Sequence, residues 1–216
     1  MSRVFMIPGM GADSRIYQHI RTNGYEQVLV NWFEPDKNDT LVSYAQKIKN
    51  QYGIADGDIV IGNSLGGMMA MEISKTITLK RTILISSIKT IGEAPWYFRL
   101  FRALPAYKIL PGWLITHSAK VARYVVGNIG VHHMNLFTDM LHKSSVRFLK
   151  WSMRAALYWD NQIIPANTFH IVGDNDRIFD HHRIKNAAIV HGGTHIMIFD
   201  RAYEINQWLA TVLAAE

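Results

Sequence analysis

The stretch Asp58-Ile59-Val60-Ile61-Gly62-Asn63-Ser64-Leu65-Gly66-Gly67-Met68-Met69-Ala70 constrains the fold more than any other part of the chain. A short apolar run enters Gly-x-Ser-x-Gly, and an apolar, helix-favouring run leaves it. That pattern is a strand, a sharp turn and a helix, with Ser64 at the tip of the turn. Gly62 and Gly66 lack the side chains that would collide across so tight a bend. The serine hydroxyl is then offered at a helix N-terminus, where Leu65 N–H and the helix dipole favour negative charge. Chance alone gives roughly 0.05 such matches in a chain of this composition, and the strand and helix on either side lower that further.

The flanking segments alternate. Arg3 to Ile7 reads as a buried strand ending in Pro8-Gly9-Met10-Gly11, and Asp13 can cap a helix from Ser14 to Ile20. Gln27 to Trp32 is a second strand. Thr40 caps a helix from Leu41 to about Gln51, with Leu41, Tyr44, Ala45 and Ile48 on one face and Gly53 at its end. Asp58 to Ile61 is the third strand, a helix runs from Leu65 to about Lys75, and Arg81 to Ser86 is the fourth strand. Strict alternation of this kind argues for a parallel sheet with helices on both faces.

The alternation stops near Ser87 and resumes at Thr168–Val172 and Ala187–Val190, followed by a helix from about Ile196 to Ala214. Between lies a helical, aromatic stretch carrying Trp96, Phe98, Phe101, Trp113, Phe137, Phe148, Trp151 and Trp159, broken by Pro95, Pro105 and Pro111. The expected architecture is therefore a six-stranded parallel sheet flanked by helices, with a core of residues 1–90 and 161–216. Residues 91–160 form a helical lid inserted after the fourth strand, burying its own core and covering one end of the sheet. The net charge of +6 resides in that insertion, where nine Lys and Arg face three Asp and Glu; the remainder carries fourteen of each. A solvated basic face explains this most simply; contact with an anionic membrane surface is the functional alternative.

With 49% hydrophobic residues the chain can bury a real core, and with no cysteine it can hold neither disulfides nor a thiol nucleophile. The short N-terminal lead into the first strand and the lack of a long apolar run predict a cytoplasmic protein. The neighbouring pairs His132-His133 and His181-His182 are expected to diverge and bind no metal.

A serine needs a base to take its proton and a carboxylate to orient that base. In a parallel sheet both belong at the C-terminal ends of strands. Gly173-Asp174-Asn175-Asp176 follows the fifth strand, and His191-Gly192-Gly193-Thr194-His195 follows the sixth. The order Ser, Asp, His matches that of α/β-hydrolases.

These motifs together resemble a compact α/β-hydrolase over the whole length apart from the variable middle. Pro8-Gly9-Met10-Gly11 resembles the family's oxyanion loop, although Pro8 stands where histidine is common. Gly62 to Gly67 resembles its nucleophile elbow, Gly173 to Asp176 its acid turn, and Gly193-Thr194-His195 its histidine turn. The two leading antiparallel strands of larger members are absent. The resemblance implies Ser64 as nucleophile, His195 as base and Asp176 as acid, with Asp174 and Asp180 as rival acids and His191 as the rival histidine. It also implies Met10 and Leu65 N–H as oxyanion donors and no cofactor. Trp96, Phe98 and Phe101 are candidates for substrate contact. The implied activity is hydrolysis of a small to medium carboxylic ester or thioester, a small-molecule acyl substrate, with no nucleic acid partner. Two alternatives remain: carbon–carbon bond hydrolysis, suggested by Asn63 in the elbow, and a non-hydrolytic receptor that retains the triad.

Overall fold

The computed structural model describes residues 3–105, 109, 111 and 130–214. Six strands form one sheet in the order β2-β1-β3-β4-β5-β6, every neighbouring pair parallel. They are β1 (Arg3–Ile7), β2 (Glu26–Leu29), β3 (Ile59–Asn63), β4 (Arg81–Ile85), β5 (Thr168–Gly173) and β6 (Ala188–Val190). The described helices are α1 (Leu41–Tyr52), α2 (Leu65–Ser74), α3 (Tyr97–Ala103), α4 (Val131–Lys143), α5 (Val146–Leu157) and α6 (Ala202–Ala214).

Alternate side chains along a strand point to opposite faces, and here each face has its own core. Phe5, Ile7, Val60, Leu84 and Val172 pack with α1, α2 and α5. Val4, Met6, Ile59, Ile61, Ile83 and Ile85 pack with Ile16, Tyr17 and the Ile205, Leu209 and Val212 face of α6. Both faces are covered, which is why β3 and β4 are buried at every position rather than alternating. From β1 the chain runs outward to β2 and returns to the other side of β1 for β3. The crevice beyond the C-terminal ends of β1 and β3 is thus the switch point of the sheet, where open parallel sheets bind ligands.

Several boundaries differ from expectation for local reasons. Asp13 caps as expected, accepting from Arg15 N, but the helix it starts is a single 3₁₀ turn over Ser14–Tyr17. Tyr17 is buried there and donates its hydroxyl to Ile7 O at 2.6 Å. The second strand leaves the sheet after Leu29, because Asn31 N and O are engaged by the Tyr52 hydroxyl and the Trp32 indole turns inward to donate to Gly9 O at 3.1 Å. The last helix begins at Ala202, not Ile196. Residues 195–200 are spent on successive tight turns such as Met197 N to Thr194 O and Phe199 N to Ile196 O. α1 is as expected, with a reciprocal Thr40–Ser43 capping box and Gly53 in the left-handed region at its end.

The insertion does not bury only itself. Phe148, Leu149, Trp151 and Trp159 belong to the same core as α1 and α2, while Phe137 and Met140 of α4 pack in the core on the other side of the sheet. Two indoles tie it down further: Trp151 Nε1 donates to Asp39 O at 2.8 Å and Trp159 Nε1 to the buried Glu72 carboxylate at 2.7 Å. Trp113 and the basic residues Lys108, Lys120 and Arg123 lie outside the described residues. No helix among the described residues is long and apolar enough to cross a membrane.

Candidate active site

Ser64 follows β3 with φ 51° and ψ −115°, a positive-φ conformation that a non-glycine residue rarely holds. The turn survives because its flanks are empty of side chains. A Cβ at Gly66 would overlap the Ile7 carbonyl oxygen, and one at Gly62 would overlap the Gly66 carbonyl. The first turn of α2 therefore lies directly against the end of β1. Ser64 N donates to Ile85 O at 2.9 Å, which ties the turn to β4. Asn63 is buried, and its amide nitrogen donates to the same Ile85 carbonyl at 3.2 Å.

Three residues from distant parts of the chain meet here. His195 Nε2 lies 2.9 Å from Ser64 Oγ, and His195 Nδ1 lies 2.9 Å from Asp176 Oδ2. The Asp176 side chain is fully buried. Its other oxygen accepts Ile178 N at 2.8 Å and Phe179 N at 2.9 Å, so the carboxylate is held by its own loop while it faces the imidazole. The Phe179 ring stands edge-on to His195 with centroids 5.3 Å apart, walling the imidazole on one side.

The rival carboxylate has a partner of its own. Asp174 Oδ2 lies 2.9 Å from His191 Nδ1, and Asp174 Oδ1 accepts Gly192 N at 2.7 Å. These two contacts hold the Asp174 carboxyl below the ordinary carboxylate range. The Asp174–His191 pair is exposed and does not reach Ser64; it staples the acid turn to the histidine turn. Asp180 points elsewhere and caps a short turn by accepting His182 N at 3.0 Å.

Leu65 directly follows Ser64, and Met10 follows Gly9, where a Cβ would lie 3.4 Å from Ser64 Cβ. Among the described residues neither backbone N–H donates to another protein group. Met10 is 39% exposed, whereas Leu65 is buried. The loop that carries Met10 is braced at Gly9 O, which accepts both Ala12 N and the Trp32 indole. Of the aromatic candidates for substrate contact, Phe98 is buried and packs on Phe179 at 6.4 Å, one ring removed from His195. Trp96 and Phe101 are exposed and have their ring contacts with Tyr97. Sequence reasoning missed Tyr97, whose hydroxyl donates to Ile178 O at 2.7 Å and so fixes α3 to the loop that holds Asp176. It also missed Phe179, which nothing in the local sequence distinguishes from an ordinary core residue.

One adjacent histidine pair departs from expectation. His181 and His182 do not diverge: their ring centroids are 3.9 Å apart. With Asp180 they place one potential metal-ligand atom each within 4.8 Å of one another on an outlying turn. A cavity of about 370 Å³ lies beside the Gly9–Asp13 loop, walled by Trp32, Phe33, Met140 and Phe148 with Asp13, Lys143 and Ser145 among its polar edges. None of its lining residues is Ser64, Asp176 or His195, so the hydrogen bonds rather than this cavity locate the chemistry.

The geometry can be set beside known proteins. A family model described as "Alpha/beta hydrolase family" matches residues 4–208. No curated protein sequence matches the chain. Among solved structures, a hydrolase from Pseudomonas aeruginosa PA01 superposes with a TM-score of 0.79 at 13% identity, covering 99% of this chain and 90% of that one. The esterase EaEST from Exiguobacterium antarcticum gives 0.75 at 14% identity, with 100% and 92% covered. A thermophilic esterase from Thermogutta terrifontis gives 0.72 at 14% identity, with 99% and 91% covered. At these identities the likeness is one of fold.

Proposed function

Because the chain belongs to the alpha/beta hydrolase family, we propose that it is a serine hydrolase that cleaves a small to medium carboxylic ester or thioester through an acyl-enzyme. The observation that carries this reading is the unbroken line from Asp176 through His195 to Ser64, with both hydrogen bonds at 2.9 Å. His195 Nε2 takes the Ser64 proton as Oγ attacks the acyl carbon. The oxygen of the tetrahedral intermediate is held by Leu65 and Met10 N–H. His195 then returns the proton to the leaving alkoxide or thiolate. Water, deprotonated by the same nitrogen, releases the acid and restores Ser64. Asp176 keeps the Nδ1 proton facing it and stabilises the imidazolium that forms.

Labelling with a fluorophosphonate and turnover of acetyl, butyryl and octanoyl nitrophenyl esters test the proposal. The protein should label and cycle, and Ser64→Ala should abolish both, with kcat falling on the order of 10⁶-fold. Near-full esterase activity or labelling in Ser64→Ala would overturn it. A single slow acylation without turnover would identify a receptor instead. Cleavage of a vinylogous diketone with no ester turnover would identify a carbon–carbon hydrolase.

A further inference from the structure

The second residue after β4 reaches back into the elbow. Ser86 has φ 48°, the left-handed region for a non-glycine residue, and its N–H is pinned to Ile171 O at 3.0 Å. That bend aims the next side chain at α2. Ser87 is fully buried, and its hydroxyl donates to the Ser64 carbonyl oxygen at 2.7 Å. The same carbonyl accepts Gly67 N at 2.9 Å and Met68 N at 3.3 Å, the ordinary bonds of a helix start. The hydroxyl is an additional donor from another strand. Space is kept for it: a Cβ at Gly67 would overlap Ser87 Oγ and lie 2.5 Å from Ser87 Cβ.

We propose that Ser87 is a positioning residue for the oxyanion donor, acting through the peptide plane that joins Ser64 to Leu65. This rests on the serine-hydrolase reading above. The physical link is the planarity of the peptide unit. The Ser64 C=O and the Leu65 N–H are opposite edges of one rigid trans plane. A donor that fixes the direction of the carbonyl fixes the direction of the N–H. An oxyanion donor works only when it is aimed at the position the charge will occupy, at about 2.7–3.1 Å. The Ser64 backbone conformation is sparsely populated, so its peptide plane needs holding from outside.

A buried serine often needs only some acceptor, and Ser152 shows that ordinary case: it donates to Leu149 O in its own helix. Ser87 differs in the acceptor it reaches, a carbonyl 23 residues earlier on the turn that carries the nucleophile.

The test compares Ser87→Ala with the parent for kcat and KM on a butyryl ester. It also measures the inhibition constant of a trifluoromethyl ketone, whose adduct with Ser64 mimics the tetrahedral oxyanion, and the melting temperature. Removing an oxyanion donor outright costs about 10²–10³ in kcat. Misaiming one should cost less, about tenfold to thirtyfold, with KM within about twofold and ketone affinity falling in parallel with kcat. If Ser87→Ala does not accumulate folded, Ser87→Cys, similar in shape but a weak donor, takes its place with the same expectation. Unchanged kcat and ketone affinity in the folded variant, whatever the melting temperature, would overturn the proposal. Ser64→Ala run in parallel separates the two claims: if that variant keeps its activity, the hydrolase reading itself fails.

Discussion

At the scale of single residues, the structure sorts two chemically identical pairs by what they touch. Asp176 and Asp174 each face a histidine at 2.9 Å, but only the Asp176 partner continues to Ser64. Asp176→Asn should therefore leave the fold intact and reverse the hydrogen-bonding needs at His195 Nδ1, lowering kcat by up to about 10⁴. Asp174→Asn should change kcat by less than about tenfold, since the staple it forms with His191 and Gly192 lies at the surface. Steady-state kinetics on a butyryl ester decides between them, and equal losses would move the acid to Asp174. That Ser64, His195 and Asp176 meet could be expected from sequence because each sits in a short motif at a strand end. Ser87 could not. Its role depends on the left-handed turn at Ser86 and on the gap at Gly67, and neither leaves a mark in local residue pattern.

At the scale of elements, α1 was legible because its caps and apolar spacing agree, at Thr40, Gly53 and its buried face, whereas the cap at Asp13 opens only a 3₁₀ turn. The start of α6 was not. Its apolar periodicity continues upstream through Ile196, Met197 and Phe199, which are buried in turns rather than helix, and burial alone does not distinguish the two. The role of α5 was hidden for a different reason. An aromatic run looks the same whether it packs on itself or on a neighbouring layer. Phe148 and Trp151 in fact complete the layer of α1 and α2. Phe148→Ala should therefore lower the stability of the whole molecule by about 3–5 kcal/mol, seen as a shifted midpoint of a single urea transition. A separate early transition, with the remaining signal unmoved, would show that the insertion unfolds by itself.

At the scale of the whole molecule, burial of one histidine is expected to contribute to the acid limb of stability. His170 lies on β5 at 2% exposure, with Lys89 Nζ 3.2 Å from its Nδ1. Burial, and then the Lys89 charge, push its pKa down to about 3. The folded protein thus keeps His170 neutral where the unfolded chain, with a pKa near the ordinary 6.5, takes up a proton. Stability from this group is complete above about pH 6.5 and is lost as pH falls from there toward 3, by up to about 1.4 kcal/mol per pH unit. Urea midpoints between pH 7 and 5, above the range of most carboxylates, should show the slope, and His170→Gln should flatten it. An unchanged slope in the variant would assign acid sensitivity elsewhere.

The pairing of β4 with β5 has a consequence for synthesis on the ribosome. Ile83 pairs with Ile61 of β3 on one side but finds its neighbour on the other side only at Phe169, so about 80 residues must be translated before that edge of the sheet is closed. At about 5–20 residues per second, the nascent chain holds an apolar, unpaired strand edge for on the order of several seconds. Such an edge is a template for pairing with other chains. Arrested nascent chains ending near residue 160 should bind a holdase chaperone far more than chains released past β6, because only the latter can shelter the Arg81–Ile85 edge within their own sheet.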